Sequence, residues 1–218
     1  TKPLTHRIAY LIETRKATPY SILAVTFTNK AAREMRERIA ELLGESADNR
    51  GFMPYIGTFH SICVRLLRMD GQYIGIPKDY VIYDEADRQA AVKRILKEHH
   101  VDEKAFPARV IASVISSAKN DLVSPEEFAD TANSPTAEVA ADVYPRYQQA
   151  LHEAKALDFD DLISKTVELL GTQQAVREKW RRQFTHVMID EYQDTNAAQY
   201  KLIKLLVGSH NNLAVVGD

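Results

Sequence analysis

Several things are scarce in this chain, and each scarcity removes a class of function. One cysteine, Cys63, stands among 218 residues, so no internal disulfide forms and a reducing compartment suits the protein. Cys63 lies in the apolar helical run Ile62-Cys-Val-Arg-Leu-Leu67, where a core position is expected. Positive charge is not in excess: 28 Lys and Arg face 30 Asp and Glu, a net charge of −2, which argues against a broadly basic nucleic-acid binder. Any DNA contact must therefore be local. No signal peptide and no long apolar stretch occurs, so neither export nor membrane insertion is indicated. No Gly-x-x-x-x-Gly-Lys-Ser/Thr is found, so these residues hold no backbone nest and lysine to cradle nucleotide phosphates. Repeats and low-complexity segments are absent too.

What is present begins with composition: 45% hydrophobic and 27% charged residues suffice for one or two domains with real cores. The most informative stretch is His186-Val-Met-Ile-Asp-Glu-Tyr-Gln-Asp-Thr-Asn196. Val187 to Ile189 read as a short strand buried on both faces, as in a parallel sheet, and ligands of such sheets bind at the carboxyl ends of the strands. Asp190 and Glu191 fall there. Magnesium takes one or two carboxylates plus phosphate oxygens and keeps most of its waters, so Asp190 suits the metal and Glu191 suits the attacking water. The bland alternative is that Asp194, Thr195 and Asn196 cap a helix starting near Ala197, with acids enriched beside its positive end.

A coarse pass gives an α/β beginning, a helical middle and an α/β return. Ile22 to Phe27 read as a buried strand, and Thr28 or Asn29 caps a helix with apolar positions Ala32, Met35, Ile39, Leu42 and Leu43, ended by Gly44. Tyr55 to Phe59 read as a second short strand and Ile62 to Met69 as a helix. Gly71 to Gly171 look helical throughout, with breaks near Pro77, Pro107, Asn120 and Ser134-Pro135. Ser124-Pro-Glu-Glu127 is a capping box, and Val139, Val143, Tyr147, Ala150 and Ala154 make the inner stripe of a long helix. His99-His100 read as a polar helix end without metal-ligand company. A strand ending in Phe27, then Thr28, Asn29 and a helix N-terminus, offers N–H groups to a phosphate and a ring to a base. Equally, Phe27 could be core and Thr28 merely a cap.

Four segments in order carry a resemblance. Ala24-Val-Thr-Phe-Thr-Asn-Lys-Ala-Ala32 resembles motif Ia of the superfamily 1A DNA helicases, the PcrA/UvrD/Rep group. Gly57-Thr-Phe-His-Ser61 resembles motif Ib, Asp190-Glu-Tyr-Gln-Asp-Thr-Asn196 motif II, and Leu213-Ala-Val-Val-Gly-Asp218 the opening of motif III. Leu157-Asp-Phe-Asp-Asp-Leu162 is also similar to the family, and the likeness covers essentially the whole chain.

The resemblance implies an α/β fold: an incomplete RecA-like P-loop motor domain (1A) in residues 1–70 and 172–218, with an all-helical subdomain (1B) inserted over 71–171. It implies ATP and Mg2+ as cofactors, a catalytic set of Glu191, Asp190 and Gln193, and nucleotide or metal contacts from Thr1, Asp190 and Asp218. Thr1 stands where the phosphate loop's final Thr belongs, although Lys2-Pro3 replace the usual Arg-Val. DNA contacts are implied for Phe27, Thr28, Asn29, Thr58, Phe59 and His60, with His60 equally readable as a satisfied buried histidine. The implied activity is ATP-driven 3'-5' translocation on single-stranded DNA with duplex unwinding, bacterial and cytoplasmic. The implied partners are single strands, single/double-strand junctions, a second motor domain, and repair or transcription proteins. Without the phosphate loop and the second motor domain the chain is expected to be an inactive fragment. Two alternatives stay open: a helicase-like DNA-binding or scaffold protein without ATPase activity, and a helicase-nuclease subunit.

Overall fold

Ile22-Leu-Ala-Val-Thr26, apolar up to its last residue and without polar alternation, forms strand β1 with every side chain buried. The computed structural model describes residues 2–46, 49 and 51–217; Thr1 and Asp218, both candidate nucleotide contacts, lie outside the described residues. β1 is one of two inner strands of an all-parallel sheet ordered β2-β1-β5-β6, where β2 is Ile56–Thr58, β5 His186–Ile189 and β6 Leu213–Val215. The two faces of β1 serve two layers. Ile22 and Ala24 join Met188 of β5 against helices α1 (Lys2–Glu13) and α2 (Asn29–Leu43), through Leu4, Ile8, Met35 and Ile39. Leu23 and Val25 point the other way, toward Ile62 of α3 (Phe59–Asp70) and Leu202 and Ile203 of α10 (Ala197–Leu206). A parallel sheet covered on both faces in this manner is what the apolar runs in β1 and β5 require.

Local signals account for the element ends. Thr28 accepts the Ala31 N–H at 3.1 Å, which caps α2, and Gly44 closes it in the left-handed region at φ 67°. β1 stops one residue short of the expected Phe27, and β2 is confined to the middle of the expected Tyr55–Phe59 strand. α3 starts three residues before the expected Ile62, because Thr58 accepts the Ser61 N–H at 3.2 Å while Ser61 Oγ donates to the Thr58 carbonyl at 2.9 Å. Aromatic packing adds to this core: Trp180 and Phe184 stack at 5.4 Å, the former in α9 (Gln174–Gln183), with Tyr55 edge-on to Phe184 at 4.9 Å.

The chain divides into two compact units: residues 1–66, 167–195 and 199–218 make the sheet unit, and 67–166 with 196–198 make the second. Both changeovers in the long segments fall inside helices, α3 and α8 (Phe159–Thr172), rather than at the expected 70/71 and 171/172. The second unit is built on α4 (Glu85–Glu98), α5 (Ala108–Asn120), α6 (Pro125–Thr131) and α7 (Pro135–Glu153). Its core joins Val92, Ile95 and Leu96 to Ile111 and Ile115, and to Val143, Tyr147 and Leu151.

The expected capping box is present: Ser124 Oγ accepts the Glu127 N–H, and Glu127 Oε2 accepts the Ser124 N–H at 2.9 Å. Cys63 is buried, and His99-His100 end α4. Two expectations need correction. The unit is not helical throughout, since Val81–Tyr83 (β3) and Ala156–Asp158 (β4) pair as a short parallel ladder; three residues are too few to show a period of two. The buried stripe of α7 is Ala140, Val143, Tyr144, Tyr147 and Leu151, with Ala154 exposed beyond the helix end, because spacings of three and four alternate in a helix of 3.6 residues per turn.

Candidate functional site

Because all four strands run the same way, their register aligns the residues just beyond their carboxyl ends. Gly57, Val25, Ile189 and Val215 form one row across the sheet. One residue on stand Thr58, Thr26, Asp190 and Val216; beyond them the ladder slips, since Tyr192 rather than Glu191 donates to the Val216 carbonyl. The Asp190 N–H donates to the Val25 carbonyl at 3.0 Å and the Val216 N–H to the Ile189 carbonyl at 2.9 Å, so both ladders persist into the second row. Four segments far apart in the chain thus present their key residues along one carboxyl edge, where the fold class binds ligands.

The two acids differ in their settings. Asp190 is 1% exposed, whereas Glu191 is exposed and holds a left-handed backbone at φ 52°, ψ 46°. For a residue with a Cβ that conformation costs about 1–2 kcal/mol and persists where surrounding bonds over-determine it. Those bonds are present: the Asp194 N–H donates to the Glu191 carbonyl at 3.0 Å, and the Tyr192 N–H to the Val216 carbonyl at 2.9 Å. The turn reverses the direction of consecutive side chains, burying one carboxylate and turning the next to solvent. Gln193 Nε2 then donates to Glu191 Oε2 at 2.7 Å.

Among the described residues no group of three or more His, Cys, Asp or Glu side chains could hold a metal by itself. The donor set at the edge, one buried carboxylate beside one exposed carboxylate, fits magnesium as it binds with nucleotides, where water and phosphate complete the octahedron.

The expected DNA-facing residues separate into two groups. Thr28 and Asn29 are exposed at the start of α2, with the Thr28 hydroxyl also serving as the cap; Phe27 and His60 are half-buried. Thr58 and Phe59 are 8% and 3% exposed, the Thr58 hydroxyl faces the Ser61 N–H, and the Phe59 ring packs edge-to-face beneath Phe27 at 5.4 Å. A Cβ added to Gly57 would collide with Ser61 Oγ, so the glycine makes room for the turn that starts α3.

Two features escaped the sequence. Gly217 stands against Gln193, and its only signal was its place in the motif III-like segment. In the second unit, the Asp-Phe-Asp-Asp segment is clamped from below: Lys119 Nζ lies 2.7 Å from Asp158 and 2.9 Å from Asp161, and the Tyr147 hydroxyl donates to Asp158 at 2.9 Å. Arg88 and Asn120 hold Asp160 at 3.1 and 3.2 Å. Nothing local to Lys119 in the sequence announces this partner.

Over its 218 residues the chain is 50% identical to the ATP-dependent DNA helicase PcrA of Bacillus subtilis (strain 168). It is 44% identical to the protein of that name from Staphylococcus aureus (strain Mu50) and 45% to that of Staphylococcus epidermidis (strain RP62A). Each alignment takes in 100% of this chain and 29% of the relative, so the chain spans under a third of the length of the curated relatives it matches. The family described as the UvrD/REP helicase N-terminal domain matches residues 1–218, and the chain belongs to that family.

Proposed function

We propose that this chain is the N-terminal motor region of a bacterial, cytoplasmic, ATP-dependent DNA helicase that moves 3' to 5' on single strands and unwinds duplex in DNA repair or replication. The observation that carries this reading is the shared carboxyl edge, where the ends of β1, β2, β5 and β6 bring the motif Ia, Ib, II and III segments into one line. The sheet unit is the counterpart of the RecA-like 1A domain, and the helical unit of residues 67–166 of the inserted 1B subdomain. Family membership and the parallel sheet support the first assignment, and the helical core shared by α4, α5 and α7 supports the second.

In the intact enzyme Asp190, the Walker B acid, would hold Mg2+, with Thr1 and Asp218 as further nucleotide contacts. Mg2+ held there would supply positive charge against the negative charge that develops in phosphoryl transfer. Glu191 orients the attacking water and receives its proton. Gln193, bonded to Glu191 and at the foot of the strand that bears motif III, relays nucleotide state toward the DNA track. Thr28 and Asn29 offer hydroxyl, amide and helix N-terminal N–H groups to a phosphate, Phe27 and His60 offer rings to bases, and Thr58 and Phe59 support them from below. Single strands and single/double-strand junctions are the substrates, a second motor domain completes the ATP site, and repair or transcription proteins are the partners.

Two measurements on the 218-residue chain test this reading. ATP hydrolysis should not rise above background, since the chain has no phosphate loop and an acid pair alone cannot position the γ-phosphate. Labelled single-stranded oligonucleotides should bind weakly, better than duplex, and with a salt slope of only a few phosphate contacts, each contributing about −0.7. DNA-stimulated hydrolysis, or tight duplex-specific binding indifferent to salt, would count against it.

A further inference from the structure

Two residues past the end of β6 stands a glycine, Gly217, and its backbone gives no reason for it. Gly44 and Gly75 are the positive-φ glycines among the described residues; Gly217 is not one of them, so an alanine would fit the chain direction there. Space is the reason. A Cβ on Gly217 would collide with Gln193 Oε1 and would stand 3.4 Å from Gln193 N and 3.5 Å from its Cδ. The same amide donates through Nε2 to Glu191 at 2.7 Å, so its oxygen end lies against Gly217 and its nitrogen end on the carboxylate. Neither flank can back away, because the Tyr192 N–H is bonded to the Val216 carbonyl and the Val216 N–H to the Ile189 carbonyl, each at 2.9 Å.

We propose that Gly217 is a positioning residue: by lacking a side chain it leaves the slot that seats the Gln193 amide, and through that amide it sets the direction of the Glu191 carboxylate. The inference rests on the reading of Glu191 as the group that orients the attacking water. Glu191 is exposed, so without the amide its three side-chain torsions are free and the carboxylate spends little time in any one direction. A methyl at 217 meets the far end of a flexible side chain, which swings aside without disturbing the sheet. The fold survives, and the bond to Glu191 does not.

The test uses the full-length enzyme and steady-state ATPase kinetics with saturating single-stranded DNA. Gly217→Ala and Gln193→Ala should each lower kcat roughly tenfold, within the range expected of a misplaced reacting group, with KM for ATP and the thermal midpoint little changed. The double variant should lose no more than either single one, since a methyl at 217 then meets only ordinary van der Waals contacts. A merely structural role for Gly217 would instead make the losses multiply. Unchanged kcat in Gly217→Ala, a change in KM alone, or multiplying losses would overturn the proposal. Should Gly217→Ala lower the thermal midpoint, Gln193→Ala adds no bulk and decides: normal kcat there overturns it as well. Glu191→Gln separates the two levels, because near-normal hydrolysis in that variant sinks the reading of Glu191 itself, whereas an inactive Glu191→Gln with silent Gly217→Ala and Gln193→Ala sinks only the positioning role.

Discussion

Replacing Glu191 with Gln in the full-length enzyme is expected to slow single-turnover ATP hydrolysis by about 10²–10⁴-fold, the usual contribution of a positioned general base, while nucleotide and DNA affinities stay near those of the unsubstituted enzyme. The size and hydrogen-bonding reach of the side chain are kept and only the proton acceptor is removed. Glu191 is exposed on a left-handed backbone beyond β5, where its carboxylate is open to solvent and to the Gln193 amide. Since Asp190 one residue earlier is 1% exposed, the two carboxylates cannot exchange roles by a simple rotation. Quench-flow measurement with DNA present reads the effect. Near-normal hydrolysis would reduce the pair to acids at a strand end.

A second large effect is expected in the helical unit. Lys119→Met should destabilise it by about 3–5 kcal/mol, the usual consequence of removing one partner from a buried charge cluster. Asp158 and Asp161 are each 2% exposed, and both lean on the single ammonium. Burial alone would lower the Lys119 pKa, but Asp161 and Asp158 overrule it and hold the ammonium above the ordinary lysine value. Burial likewise pushes Asp158 up, and Lys119 with its hydrogen bonds brings it below the ordinary carboxylate value. Without the lysine, two carboxylates face an apolar core that includes Tyr147. For a unit of this size the loss corresponds to a fall of at least about 10 °C in its thermal transition. Circular dichroism of the 218-residue chain measures it. Lys119→Met combined with Asp158→Asn and Asp161→Asn should recover part of the loss, because no buried charge then lacks a counter-ion and amide oxygens can still accept the backbone N–H groups that Asp158 and Asp161 take from each other at the start of α8. A shift under about 2 °C for Lys119→Met alone would contradict the account.

Parts of this architecture were legible because they obey local rules. β1 and β5 are uninterrupted apolar runs, α2 carries its cap and its terminal glycine in sequence, and Ser124-Pro-Glu-Glu127 specifies its own capping box. What was not legible depends on residues far apart. Val81–Tyr83 becomes a strand only because Ala156–Asp158, 75 residues later, lies beside it, and neither segment is long enough to show a pattern alone. Lys119 reads as one more helix-end cation until the end of β4 and the start of α8 place Asp158 and Asp161 over it. Phe59 sits in a motif-like segment that suggests contact with DNA, yet the register of β2 against β1 sets its ring beneath Phe27 in the core. Gly217 shows the same limit from the other side: its need for space is set by Gln193, which reaches it only through the pairing of β5 with β6.

If Asp190 anchors the metal, as proposed, Mn2+ put in place of Mg2+ reports the contact spectroscopically. Electron paramagnetic resonance titration of the full-length enzyme with Mn2+ and ADP should show that Asp190→Asn weakens metal-dependent nucleotide binding by at least about tenfold, as loss of an anionic ligand to a hard cation requires, while Glu191→Gln leaves it intact. Equal Mn2+ affinity in Asp190→Asn and the unsubstituted enzyme, with nucleotide bound, would contradict the assignment of the strand-end acid as the metal's anchor.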